Sequence, residues 1–457
     1  MIRTGLRCAA AGAAVLVAVC PSAWAVSPPE LDPATQPPSG SAGPVEPMSQ
    51  RGECVVTGVR PDFDPDAVPA GQTMLNLAGA WRFSRGEGQT VAVIDTGVQP
   101  GPRLPNVDGG GDYLGSTDGL TDCDGQGTMV AGIIAGQPGD DGFSGVAPAA
   151  RILAIRQTSA MFAPTDPGEN QEATRATIAV ASLGRAVVRA ADEGARVITI
   201  STSTCLGTDS TIGQNDLGAA LRYAAVEKDV VIVAAAGNIG PGGSGGGLAC
   251  QANPLNNMAS SEDPRNWAGV TSVSTPSWWQ PYVLSVGSLT PQGQPSPFTM
   301  AGPWVGIAAP GQDIVSLSNA EDGGLANGLP NNDELAPVNG SSYATAYVAG
   351  VAALIRSRFP DMPAAQVIER LTATAHNGAN TPSNLVGSGT VDPVAALTWQ
   401  LPEPAPEDEP ATQIAAPVIP EPDDHTPRNI ALGGTAALVL VVAGTALAAH
   451  RRKEHNS

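Results

Sequence analysis

Val91-Ala92-Val93-Ile94 runs without a polar residue into Asp95-Thr96-Gly97. Residues 196–201, 230–236 and 283–288 are similar Val/Ile/Ala runs, and 174–193 and 216–228 read as helices between them. Short apolar runs of this kind are strands buried on both faces, and strands joined by helices form a parallel sheet covered by helices. Residues 76–400 are therefore expected to form one α/β domain. In such sheets ligands bind beyond the carboxyl ends of the strands, and Asp95 stands at one. A carboxylate there is partly buried and needs a hydrogen-bond partner.

The chain has 457 residues, of which 14% are charged and 4% aromatic, while Gly and Pro make up about a fifth. That composition excludes a coiled coil, and an apolar share of 42% excludes a wholly disordered chain. A net charge of -20 argues against a nucleic-acid partner, which needs a basic face. Lys228 and Lys453 are the only lysines among the basic residues, which reads as a genome with high GC content.

Both ends carry signals for the membrane. Residues 1–25 read as a secretory signal peptide, with Arg3 and Arg7, an apolar stretch from Ala9 to Val19, and the cleavage site Ala23-Trp24-Ala25; an uncleaved anchor is the competing reading. Ile430 to Ala449 hold no charge, and at 1.5 Å per residue they span about 30 Å, one bilayer core. Arg451, Arg452 and Lys453 follow, which keeps the tail 451–457 in the cytoplasm and the bulk of the chain outside it. The competing reading, a buried core helix, does not usually end in a basic cluster. Residues 26–428 then hold 18 basic and 42 acidic residues, a charge near -24. Residues 26–75 form a Pro-rich extension, with seven prolines in 27–49. Residues 401–429 form an acidic stalk, at most about 80 Å long as polyproline, and 430–450 form the transmembrane helix. The Gly-rich stretch 240–247 lacks P-loop register and reads as a loop, and no cofactor is expected.

Cys8 and Cys20 leave with the signal peptide, and Cys54, Cys123, Cys205 and Cys250 remain in an oxidising compartment. Four cysteines allow three pairings. We favour 54–123, which pins the extension to the main domain, and 205–250, which closes a loop of about 45 residues worth about 4 kcal/mol in loop-closure entropy. No Cys-x-x-Cys pair exists and no His lies near these residues, so zinc or another metal is not expected.

Three separated motifs nominate an active site. Asp95 ends its strand. Gly340-Ser341-Ser342-Tyr343-Ala344 precedes an apolar helix at about 343–357, placing Ser342 where free N–H groups and the helix dipole favour an oxyanion. Asn238 ends Ala235-Ala236-Gly237-Asn238, where its amide can serve the same oxyanion or simply make a turn. With Gly127-Thr128-Met129-Val130-Ala131-Gly132, these motifs resemble the subtilisin-like serine proteases in identity and order over roughly 85–395. The signal peptide, the extension with Cys54, the run Asp122-Cys123-Asp124-Gly125, the stalk and the anchor narrow the resemblance to mycosins. These are the membrane-anchored subtilases of mycobacterial type VII secretion systems. The resemblance implies a three-layer subtilisin-like fold, Asp95 and Ser342 as catalytic residues, and Asn238 in the oxyanion hole. It also implies the cytoplasmic membrane and the type VII membrane complex as partners, and exported proteins as substrates.

One position departs from the family. Its catalytic His precedes Gly-Thr-x-Val-Ala-Gly, and here that residue is Gln126. The four histidines, His376, His425, His450 and His455, all follow Ser342, and only His376 lies in the domain, after Leu371-Thr372-Ala373-Thr374-Ala375. A serine needs a base to take its proton, and an amide carbonyl has negligible basicity. Asp95 is expected to accept a hydrogen bond from the Gln126 amide, which keeps the shape without the function. Ala346 stands where the family usually has Pro and is expected to loosen the helix start. His and Gln codons differ by one nucleotide, so a sequencing error or strain variant in an active enzyme is the bland alternative. Two functions follow: a component that supports the secretion complex with little or no proteolysis, which is preferred, or an active serine endopeptidase acting on exported substrates.

Overall fold

Strand β1, Thr90–Asp95, is an interior strand of a seven-stranded sheet. The others are β2 (Val107–Asp112), β3 (Arg151–Arg156), β4 (Val197–Ile200), β5 (Val231–Ala235), β6 (Leu284–Leu289) and β7 (Val305–Pro310), in the order β7-β6-β5-β4-β1-β3-β2. Every pairing in it is parallel. The computed structural model describes residues 26–240, 250–255, 262–331, 334–378, 382–401 and 426–454. The expected signal peptide, nearly all of the stalk and all of the Gly-rich stretch beyond Gly240 lie outside the described residues.

The apolar runs contain no polar face because helices cover both sides of the sheet. Val91 and Val93 point into one core with α1 (Gln126–Ala135) and α4 (Ser341–Arg358). Ala92 and Ile94 point the other way, into a second core with α2 (Gln171–Asp192) and α3 (Asn215–Arg222). The same alternation sends Ile152 and Ala154 to the first core and Leu153 and Ile155 to the second. Each buried Val, Leu or Ile contributes roughly 1.5–3 kcal/mol against exposure, so a polar substitution on either face of β1 opposes folding. The architecture is the expected subtilisin-like three-layer α/β fold.

Helix boundaries moved from their expected places. The helix expected over 216–228 is regular only to Arg222 and continues as a wider π-turn, Tyr223–Glu227. The serine helix starts at Ser341 and runs unbroken through a fully buried Ala346. The expected loosening is not seen, because Ala is the strongest helix former.

Residues 26–401 belong to one compact unit and 426–454 to a second. The extension is bound to the domain by a short antiparallel pairing of Met48–Gln50 with Phe162–Pro164 and by a bond between Cys54 and Cys123. Asn319 ties the same place, with its Nδ2 donating to Val55 O and Asp122 O at 2.9 Å each. Cys205 is bonded to Cys250. In the second unit, helix α5 (Thr426–Glu454) contains a 22-residue span, Arg428–Ala449, of mean hydropathy 2.2, long and apolar enough to cross a membrane.

Candidate active site

Asp95 ends β1 with no solvent exposure. Its Oδ1 accepts the Thr96 N–H at 2.7 Å and the Gln126 Nε2 at 3.0 Å. Its Oδ2 has no hydrogen-bond partner, and neither has the Ser201 hydroxyl nearby. Burial, reinforced by the neighbouring Asp122 charge, pushes the Asp95 carboxyl up to about 7, against the pull of Thr96, Ser201 and Gln126.

Gln126 owes its place to the way α1 begins. Gly125 precedes the helix at φ +75°, a conformation that suits glycine. The Asp122 carboxylate caps it: Oδ1 accepts Gly125 N at 2.8 Å and Thr96 Oγ1 at 2.8 Å, and Oδ2 accepts Thr128 N at 2.8 Å and Thr128 Oγ1 at 2.7 Å. A negative charge at a helix amino terminus is favoured by the dipole. The next residue has to be glycine, because a Cβ on Gly127 would collide with the Gly97 carbonyl oxygen. This close approach brings Gln126 to Asp95. Asp122 is the hub that sequence reasoning did not single out; an acid just before a helix start was the available signal.

Ser342 lies in the first turn of α4, and its Oγ donates to Ser201 O at 2.7 Å. Asn238 is fixed beside it: Ser341 N donates to Asn238 Oδ1 at 3.0 Å, so the carboxamide oxygen is occupied and Nδ2 is left as a donor. The fold thus brings Asp95 and Gln126 into contact at one end of the sheet, and Asn238 against the turn that carries Ser342. His376 is elsewhere. It exchanges backbone hydrogen bonds with Thr390, approaches Asp392 at 3.4 Å, and lines cavities that contain neither Gln126 nor Ser342. Gln126 instead borders a cavity of about 450 Å³ that also meets Thr96, Thr202 and Asp124.

A deep-lying Asp, a helix-borne Ser and an Asn donor on a parallel sheet define a class, and the chain's relatives bear on it directly. The Subtilase family profile, Peptidase_S8, matches residues 86–389, and the chain belongs to the subtilase family. It is 60% identical to Mycosin-3 of Mycobacterium tuberculosis over 99% of both chains. Among solved structures, the MycP3 protease from the type VII (ESX-3) secretion system is 66% identical over 82% of this chain and 100% of its own, with a TM-score of 0.79. A chain in the structure of an intact ESX-5 inner membrane complex is 45% identical over 92% of this chain and 100% of its own, with a TM-score of 0.80. The mycosin resemblance therefore extends over the whole length.

Proposed function

We propose that this chain is a mycosin-type component of a type VII secretion system that supports the membrane complex with little or no proteolysis. The observation that carries the reading is the Gln126 Nε2 to Asp95 Oδ1 hydrogen bond of 3.0 Å. Where the reaction needs a base between aspartate and serine, an amide spends its donor on the aspartate and has no basic atom for the serine. Ser342 Oγ is correspondingly bonded to Ser201 O. The relative in the ESX-5 inner membrane complex supports a role in assembly. The second reading is an active endopeptidase acting on exported proteins, favoured by the preserved placement of Asn238 against the Ser342 turn.

Secretion in a strain lacking the gene separates the two. Deletion is expected to impair export through the complex, and a chain carrying Ser342→Ala at normal levels is expected to restore it fully. Export lost with Ser342→Ala would make the hydroxyl, and hence chemistry, necessary.

The proposed topology is a cleaved signal peptide at 1–25, an extension at 26–75, a peptidase-like domain at 76–400 outside the cytoplasm, a stalk at 401–429, a membrane helix at 430–450 and a cytoplasmic tail. The apolar span of α5, followed by Arg451, Arg452 and Lys453, supports it. Truncation after Arg428 is expected to move the protein wholly from the membrane pellet to the soluble fraction. Continued sedimentation of the truncated chain with membranes at high salt would assign the anchoring to another segment.

A further inference from the structure

We propose that Trp81, Arg82, Phe83, Arg85, Arg358 and Phe359 form a docking surface for an acidic segment of a partner protein. The surface is built from two stretches remote in the chain, residues 81–85 and the end of α4. Cations and rings alternate across it. The Arg85 guanidinium carbon lies 5.4 Å from the centre of the Trp81 ring, and that of Arg358 lies 5.0 Å from Phe83 and 5.5 Å from Phe359. Ser357 Oγ ties the two stretches together by donating to Glu87 Oε2 at 3.2 Å. The Trp81 ring is fixed from below, where its Nε1 donates to Val146 O at 2.8 Å. Arg82, Phe83, Arg85 and Arg358 are all exposed.

An arginine stacked on a ring uses only the face of its guanidinium, and the N–H fork at the edge stays available for a carboxylate. Among the described residues the forks of Arg82, Arg85 and Arg358 make no hydrogen bond and no ion pair. Elsewhere in residues 26–428, where 42 acidic residues stand against 18 basic ones, Arg103, Arg151, Arg189 and Arg222 each find a carboxylate within 2.9 Å. Arg370, which covers Phe359 at 4.9 Å, is spent differently, its Nη1 donating to Ala396 O and Trp399 O at 3.0 Å each. The nearby acids leave the three forks free. Glu87 Oε2 accepts the Arg85 backbone N–H at 3.0 Å as well as Ser357 Oγ, and Asp361 and Glu369 form no ion pair among the described residues. The dipole of α4 favours a cation at Arg358, in its last turn, but gives no reason for Arg82 and Arg85. Pre-oriented forks beside a Phe83 ring that is 38% exposed match a partner with carboxylates and an apolar side chain. The rest of the domain is acidic and repels such a partner, so the cluster fixes where it lands. An anionic membrane would meet those surrounding acids as well, whereas a single segment need meet only the cluster. The proposal stands whether or not Ser342 is reactive.

The test uses the full-length protein in discs of neutral phosphatidylcholine and the fluorescence anisotropy of two labelled 12-residue peptides, blocked at both ends. One carries four Glu around a central Leu-Phe pair in a Ser/Gly background, and the other has Gln at the Glu positions. The Glu peptide is expected to bind about tenfold tighter than the Gln peptide at low salt, and to lose that advantage at high salt, because the contacts are between exposed charges. Replacing both Arg85→Gln and Arg358→Gln is expected to weaken the Glu peptide about tenfold, and Phe83→Ala about threefold. Arg51→Gln, which removes an exposed arginine of the extension, is expected to leave binding unchanged. Should the double variant melt below the wild type, Arg82→Gln carries the comparison, with about threefold weakening expected. Equal binding of the two peptides, or undiminished binding by the variants of the cluster, overturns the proposal. So does an equal loss with Arg51→Gln, which would make the effect one of overall charge. Displacement of the Glu peptide when a quarter of the disc lipid is phosphatidylglycerol would give the cluster to anionic headgroups and overturn the protein partner.

Discussion

Gln126→His is expected to turn an unreactive chain into one whose Ser342 is labelled by a fluorophosphonate probe. In the wild type the probe meets a hydroxyl that donates to Ser201 O and, on the function proposed above, has no base to accept its proton. An imidazole at 126 has the same approach to Asp95, since α1 is fixed by the Asp122 cap and by the contact of Gly127 with Gly97. One ring nitrogen donates to Asp95 Oδ1 in place of the amide, and the other is free to draw Ser342 from Ser201. The expected gain is about a million-fold, the size of the loss that follows removal of the histidine from subtilisin, a member of the same family. Labelling of the wild type at a rate like that of active subtilases would make the endopeptidase reading correct. Failure of both chains to label would place the defect beyond residue 126, in the geometry around Ser342 itself.

Asp95→Asn is expected to stabilise the protein at pH 8 and to leave it unchanged near pH 4. The sign follows from proton counting. The folded chain holds the Asp95 proton up to about pH 7, whereas the unfolded chain releases it near 3.8. Between those values the folded state binds more protons, so stability falls as pH rises through the window and the full cost is present above about 7. Three pH units correspond to about 4 kcal/mol. Asparagine removes that cost, because its oxygen can keep the Thr96 and Gln126 hydrogen bonds. Its nitrogen occupies the place of the unpartnered Oδ2, close to an unpartnered Ser201 hydroxyl. Thermal unfolding from pH 4 to 8 checks this. A wild-type melting temperature that does not fall between pH 5 and 8, or a variant less stable than wild type at pH 8, would contradict it.

What could be read from the residues follows from where each piece of information is stored. The sheet was legible because burial on both faces leaves continuous apolar runs, as in Val91 to Ile94, and the Cys54–Cys123 pairing was legible from its purpose. Helix α1 was not, since all ten of its residues are buried and no amphipathic period marks it. Asp122 was read only as part of a family run, and its role went unassigned because the bond to Thr96 Oγ1, which joins the helix start to the end of β1, appears only when the chain folds back. The cavity was invisible for the same reason: Met48, Phe162, Ile178 and Leu329 are remote in the chain, and only the fold makes them neighbours.

The sheet order also sets a timetable. A polypeptide made from its amino terminus completes β1, α1, β3 and β4 within its first 200 residues, so the Asp95–Gln126 pair has all its parts early. The face of the sheet that holds Val91 and Val93 is then covered only by α1, because the rest of its cover is α4, which begins at Ser341. A nascent chain therefore carries an incompletely covered apolar surface and an incomplete site. Arrival of Ser342 and closure of the core are one event, so a truncated product that ends before α4 lacks both the serine and the helix that covers this core.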